Sequence, residues 1–509
     1  MSTTKAILLS LASWGLMAFS FPPFPLGPGA LVFLAPWFYV LKTANIKGAL
    51  VASSLGAFLF NAISIYWLYH IGDVAPPALI FSGLFLAVAF LSLFTVLCAW
   101  VFVKIKDVRF GKFPLVCLFP FFWGGIEALR AKGDMSFPWL SLGLVFGNSL
   151  ELIQSYALFG VFGASIIIIA SNMCFASAAP NNKVRFFVPF VLAALLYIGG
   201  HNAITCEENK SDAAKEVLTV AVVQPSVPQA KKWSKGYYDS IMKQTWDLFS
   251  TLEPDTVALI LFAETAIPDF IDIRFREQMF LERYARKHNT AILMGALSRA
   301  WDRPKENKRN RKYGVYNSAF LFGSGSNSYI PEYRKIHLVP FSEKMPFDNV
   351  FPVINYVDLG GGDFSPGDSI RIWQPGDFSP LICYEAIYGG ILREAKRKGA
   401  KFIANITNDG WFYKSIAPYQ HFNLVRAHAV ESGIGVVRAA NTGISAFIAA
   451  NGKIIEKTEL FDQKIIVNNI SLETRSTPYY YVGDYIEQIL FIFSLAVVVA
   501  VIIFRKKLK

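Results

Sequence analysis

Eight long apolar stretches, at about 6–21, 25–41, 48–70, 77–103, 113–129, 151–176, 184–200 and 487–504, decide what this chain can become. A bilayer core takes about 20 apolar residues as helix, and backbone groups in hydrocarbon must find partners inside the segment. The stretches therefore predict an all-α bundle of eight transmembrane spans. Composition agrees, since 17% of the residues are charged where soluble chains carry about 25%. The first two stretches are short, and Pro22, Pro23 and Pro25 between them predict a tight helical hairpin. Residues 1–21 compete as a signal peptide because Lys5 precedes an apolar run. Against that, no small-residue cleavage site follows and further spans come at once.

Lysine and arginine in short connections set orientation. Lys42 and Lys47 follow span two, Lys104, Lys106, Arg109 and Lys112 span four, Lys183 and Arg185 span six, and Arg505, Lys506, Lys507 and Lys509 span eight. All four clusters fall on one side. The pattern predicts cytoplasmic termini and an extracytoplasmic segment between spans seven and eight. The net charge of +12 is then spent on lipid headgroups and an exported domain, so nucleic acid is not an expected partner. Three parts follow: a membrane bundle over 1–202, a soluble domain over 203–485, and a closing helix with a basic tail over 486–509.

The soluble segment alternates β-rich runs with helical patterns, which implies a layered α/β domain. Strands are expected at 217–225, 256–265, 290–297, 315–323 and from 379, 401, 433, 443 and 463; helices are expected near 235–252, 275–288, 388–399 and 417–431. Glu264, Cys383 and Asn408 with Asp409 each end an apolar run. A sheet with those strands adjacent would gather them at one rim.

Of five cysteines, Cys98, Cys117 and Cys174 lie in spans and Cys206 just past one, so only Cys383 belongs to the body of the soluble domain. A lone thiol in an oxidising compartment reads as reactive; a disulfide with Cys206 or an inert buried thiol are the alternatives. A nucleophilic thiol needs a base, a nearby cation or both. Glu264 in "FAETAIP" and Lys335 in "YRKIHLVPFSE" are the candidates. Taken singly, Glu264 reads more readily as a solvated rim charge or an ion-pair partner, and Lys335 as a surface lysine.

Together, Glu264, Lys335 and Cys383 in "LICYEAIY" resemble the Glu-Lys-Cys set of the nitrilase superfamily, the carbon-nitrogen hydrolases. With "FPPF" at 21–24, "FPWLSLG" at 137–143, Trp233 and "NDGWF" at 408–412, the whole chain resembles the membrane branch, the apolipoprotein N-acyltransferase family of the bacterial inner membrane. The resemblance implies a nitrilase-like αββα sandwich inserted in the bundle, on the periplasmic side. It implies that Cys383 takes an acyl chain from a membrane phospholipid as a thioester and passes it to the N-terminal amine of a lipid-modified apolipoprotein cysteine. Glu264 would be the general base and Lys335 the oxyanion stabiliser. Glu343 would hold Lys335, Tyr384 and Glu385 would support the nucleophile, and Trp233 would sit on a loop over the pocket. One position departs from the family, Ser342 standing where it usually has glycine.

No metal or organic cofactor is expected, and a monomer is. The rivals are a membrane-tethered amidase using the same residues and a transporter whose exported domain binds ligand. Four weaker signals remain. The basic stretch 302–314 reads as a solvated loop or a contact for anionic headgroups, and "GGGDFSPGD" at 360–368 as a surface turn. Glu127 and Arg130, three apart, read as an intrahelical ion pair or, as the resemblance implies, as groups near the phospholipid entry. His421 and His428, seven apart with Glu431, sit on one helix face but without a metal motif and read as core or rim histidines.

Overall fold

The computed structural model describes residues 1–74, 76–178, 184–209, 216–234, 236–253, 256–300, 313–323, 330–347, 350 and 363–503. The helices that build the apolar part are α1 (Thr3–Ala18), α2 (Ala35–Thr43), α3 (Ile46–Ile65), α4 (Pro77–Ile105), α5 (Phe119–Arg130), α6 (Tyr156–Phe175) and α7 (Val184–Asn209). Among the described residues, five helices are long and apolar enough to cross a membrane: Ile46–His70, Pro77–Ile105, Tyr156–Phe175, Val184–Asn209 and Pro478–Ile503. The other three expected spans are shorter. Stretch 25–41 breaks into a 3₁₀ turn at Gly27–Gly29, a four-residue helix at Ala30–Phe33 and α2, as Pro28, Gly27 and Gly29 dictate. Stretch 113–129 forms a 3₁₀ turn at Leu115–Leu118 and α-helix only from Phe119, with Pro120 in its first turn.

The expected Glu127–Arg130 ion pair does not form. Glu127 Oε1 instead accepts from Trp123 Nε1 and from the main-chain N–H of Leu142, both at 2.9 Å. Those two donors hold the carboxylate away from Arg130, whose guanidinium lies over the Phe94 ring.

Two sheets form the second part. The first joins β1 (Val217–Gln224), β2 (Leu259–Phe262), β3 (Ala291–Ala300), β4 (Gly314–Phe322) and β5 (Glu332–Arg334) in that order. β1, β2 and β3 run parallel, and β4 and β5 follow antiparallel. The second sheet holds β6 (Phe378–Ile382), β7 (Phe402–Thr407), β8 (Gly435–Ala440), β9 (Ala446–Ile448) and β10 (Ile454–Lys457). Its β6, β7 and β8 are parallel. β11 (Lys464–Ser471) returns to pair antiparallel with β1. The strands at 332–334 and 454–457 were not expected, and the one expected over 256–265 is only four residues long.

The strand pleat explains the layers. Val220 and Val222 of β1, with Leu259 and Leu261 of β2, pack between the sheets against Leu381, Ile406 and Val436. The alternate residues Ala221, Val223, Ile260 and Phe262 pack outward on Met242 and Phe249 of α8 (Tyr238–Phe249) and Leu281 and Ala285 of α9 (Phe275–Lys287). The second sheet is backed by α10 (Gly389–Arg397) and α11 (Ala417–Ser432). The result is an αββα sandwich. α12 (Pro478–Ile503) closes the chain against α5, where Ser494 Oγ donates to Phe122 O.

α11 is shared. Phe422, Val425 and Ala429 face the second sheet, while Leu424, Ala427 and Val430 join the core of the helical part. Its polar residues reach the same way: Trp67 and Trp139 indoles donate to Gln420 Oε1, Arg426 donates to Gly147 O, and Val161 N–H donates to Glu431 Oε1. Most of the basic stretch 302–314 and the start of the turn at 360–368 lie outside the described residues.

Candidate active site

The parallel strands of both sheets deliver their carboxyl ends to one rim, the usual place for a site in such sheets. Cys383 follows β6 and opens a 3₁₀ turn, Cys383–Ile387, with a φ of 52°. Thr265, beside Glu264, has a φ of 46° and Ser226, just past β1, one of 57°. Left-handed backbone at non-glycine residues costs about 1–3 kcal/mol and gathers at functional sites. Three instances on one rim point there.

Glu385 holds the turn. As third residue of the turn it reaches back, its Oε2 accepting from Ile382 N–H at 2.7 Å. Its Oε1 accepts from Tyr333 OH at 2.8 Å and from the N–H groups of Ile336 and His337 at 2.6 and 3.3 Å. The side chain is fully buried. Burial pushes its carboxyl up to about 7 against the pull of those donors and of Lys335. One carboxyl group thus fixes the turn of Cys383 to the segment carrying Lys335.

Lys335, directly after β5, is 1% exposed. Its Nζ lies 2.9 Å from Glu343 Oε1 and 3.6 Å from Glu264 Oε1. Asn317 of β4 bridges the two carboxylates, Nδ2 donating to Glu264 Oε1 at 2.7 Å and Glu343 Oε1 at 3.0 Å. Burial alone would strip the lysine of its proton, but Glu343 and Glu264 outweigh it and hold the ammonium well above its usual range. Glu264 reaches this position because β3 presents Gly295, where a Cβ would lie 2.5 Å from Thr265 N. The Ser342 departure is absorbed: the positive φ in this turn falls on Phe341, at 64°, so residue 342 needs no glycine.

Cys383 is half-buried, and all five cysteines are free, so no disulfide joins it to Cys206. Burial, then the charge of Glu264, pushes its thiol up to about 12, with Lys335 pulling the other way. The resting group is a thiol beside a carboxylate, an arrangement in which proton transfer and attack belong to one step. Tyr384 turns away from the rim, its OH donating to Ser136 O at 2.8 Å, and Tyr388 OH meets Ser136 Oγ at 2.8 Å. The turn of Cys383 is therefore hydrogen-bonded into the apolar helical part. Trp233, 45% exposed, follows a helical turn at Gln229–Lys232.

Asn408 and Asp409 do reach the rim, since β6 and β7 are neighbours. Asn408 serves the loop after β1, donating to Gln229 Oε1 at 2.7 Å. Asp409 lies deeper, with His421 Nδ1 at 2.8 Å and Arg438 Nη2 at 2.9 Å. Further along α11, His428 meets Glu431. Sequence reasoning missed Asn317 and Lys232, both buried at the rim. An Asn within an apolar strand run was the available signal for the first.

The carbon-nitrogen hydrolase family profile matches residues 219–479, and that of the apolipoprotein N-acyltransferase N-terminal domain residues 13–174. The apolipoprotein N-acyltransferase of Geobacter metallireducens is 29% identical, over 98% of this chain and 95% of its own. Those of Haemophilus influenzae and Chlorobaculum tepidum are 28% and 27% identical, each over 94% of this chain and 91% and 92% of theirs. The chain belongs to the carbon-nitrogen hydrolase family, in the membrane branch where that domain follows an apolipoprotein N-acyltransferase N-terminal domain.

Proposed function

We propose that the protein transfers an acyl chain from a membrane phospholipid, through a thioester on Cys383, to the N-terminal amine of the diacylglyceryl-cysteine of apolipoproteins. The observation that carries this is the seat of the thiol: a Glu-Lys-Cys site whose nucleophile turn is hydrogen-bonded, through Tyr384 and Tyr388, to Ser136 in the apolar helical part. A membrane-tethered amidase is not favoured, because a small water-borne amide gives that attachment no purpose.

In the first half-reaction Glu264 takes the thiol proton as sulfur attacks the ester carbonyl carbon. The developing oxyanion is met by the Lys335 ammonium. Collapse breaks the acyl C–O bond, and the lysophospholipid oxygen leaves with the proton from Glu264. In the second, the acceptor amine attacks the thioester, the C–S bond breaks, and sulfur regains its proton. Glu343 takes the closer contact with Lys335, while Asn317 and Lys335 both meet Glu264 at Oε1, leaving its Oε2 to take the proton. Trp233 lies over the substrates' approach.

The same reading places the chain in the bacterial inner membrane as a monomer, with eight crossings, cytoplasmic termini and a periplasmic sandwich. Its parts are 1–202, 203–485 and 486–509, the ends of α7 and α12 projecting beyond the bilayer. The lysine and arginine clusters between spans support that orientation.

Intact mass spectrometry after incubation with a defined phospholipid and no acceptor tests it. An added acyl mass that neutral hydroxylamine removes, and that Cys383→Ala lacks, is expected. Folded protein that stays unmodified yet releases ammonia from small amides would reverse the conclusion in favour of the amidase.

A further inference from the structure

Lys232 has no part in the chemistry above, yet it is built into the site. Asn441 bonds Val227 in both directions, at 2.9 and 2.8 Å, and Asn408 holds Gln229. The turn Gln229–Lys232 is thereby tied to the ends of β7 and β8. Its two neighbours, Lys231 and Trp233, are exposed, whereas Lys232 is 4% exposed. Its Nζ donates to the main-chain oxygen of Glu264 at 2.9 Å and has no other hydrogen-bond partner among the described residues. A buried ammonium with one of three donors used is costly unless it gives up its proton or meets a substrate.

We propose, resting on the acyl-transfer reading, that Lys232 is a second catalytic lysine, the base that takes a proton from the acceptor's α-ammonium before that nitrogen attacks the thioester. The groups whose charges act on it are Glu264 and Cys383; burial outweighs their pull and brings Lys232 down to about 8. An α-amino group titrates at about 7.7–8.0, so proton exchange between the two is nearly balanced.

The protons balance as follows. An N–H bond of the ammonium breaks, its pair stays on nitrogen, and the proton goes to the neutral Lys232 amine. The free amine forms the C–N bond as the C–S bond breaks. Glu264 takes the second N–H proton and returns it to sulfur, and Lys232 sheds its own to water as the product leaves. The two lysines divide the work: Lys335, kept charged, meets the oxyanion, and Lys232, poised to lose its proton, serves the nucleophile.

The test separates the half-reactions for the whole protein, Lys232→Met and Lys232→Arg. Lysophospholipid release reports acylation, and preformed acyl-enzyme mixed with a diacylglyceryl-cysteine peptide reports transfer, from pH 6 to 9.5. In both variants transfer at pH 7 should fall about five- to tenfold more than acylation, because about one-tenth to one-sixth of an α-amine is free there without help, and the gap should shrink towards pH 9, where the amine is free. Lys232→Arg keeps the cation and a donor for Glu264 but cannot release a proton, so it separates base from scaffold should the methionine variant fail to fold. Equal losses in both half-reactions, or a transfer deficit that ignores pH, would overturn the assignment. Wild-type protein that forms no acyl-enzyme would instead overturn the reading on which it rests.

Discussion

Replacing Glu264 with glutamine should move two reactions of the same sulfur in opposite directions. A thiol held at about 12 is ionised at pH 7.5 in roughly one molecule in thirty thousand, so reactions that need a preformed thiolate are slow. Burial sets most of that resistance, and the Glu264 charge is the next contributor. A neighbouring charge within a few ångströms shifts a pKa by about 1–3, so Glu264→Gln should raise the thiolate population about 10- to 1,000-fold. Alkylation by iodoacetamide should speed up accordingly. Acylation by phospholipid should slow by about 10²–10⁴, the usual worth of a positioned base. The comparison needs Cys98, Cys117, Cys174 and Cys206 replaced by alanine, alkylation followed by intact mass between pH 7 and 9, and lysophospholipid release measured alongside. If alkylation falls together with acylation, the account of Glu264 as both base and thiol suppressor is wrong.

Two further outcomes are expected. Glu385→Gln places an NH₂ where a buried oxygen accepts, so one of its donors loses its partner; unfolding should become easier by about 1–3 kcal/mol, and acylation should drop at least tenfold because the turn of Cys383 is no longer fixed to Lys335. Unchanged thermal stability in detergent would refute that role. Burial would raise the Asp409 carboxyl, but Arg438 and His421 outweigh it and hold it down to about 2, below its ordinary 3.8. A depressed carboxyl stabilises the fold fully above about pH 4, and that contribution, about 2 kcal/mol, is lost as pH falls towards 2. Melting curves of Asp409→Asn between pH 2.5 and 6 should therefore lack the acid limb seen in the wild type; an unaltered limb would contradict the assignment.

The rim of the site was legible because apolar runs end where strands end: Glu264, Cys383 and Asn408 sit just past β2, β6 and β7. That β6 and β7 lie side by side was an expectation that only the sheet could meet. Lys232 was not legible, since in a basic loop its neighbour Lys231 looks the same and is exposed; burial there is decided by Asn408 and Asn441, far away in sequence. Hydropathy finds apolar stretches but not helix lengths, so it did not show that proline and glycine divide residues 25–41 into short helices or that α-helix in 113–129 starts only at Phe119. The spacing of Glu127 and Arg130 suggested a pair, but Trp123 and Leu142 N–H claim the carboxylate first. An i, i+3 rule sees one helix only.

The shared helix α11 bears on how the enzyme can be handled. Cutting the sandwich free at its borders would bare Leu424, Ala427 and Val430 to water, at about 1.5–3 kcal/mol for each large side chain uncovered. It would also take from Gln420, Arg426 and Glu431 the partners supplied by Trp67, Trp139, Gly147 and Val161. A water-soluble fragment would thus be sticky along one side and soft behind Cys383. Screens for inhibitors of this chemistry belong on the intact chain in detergent or lipid discs.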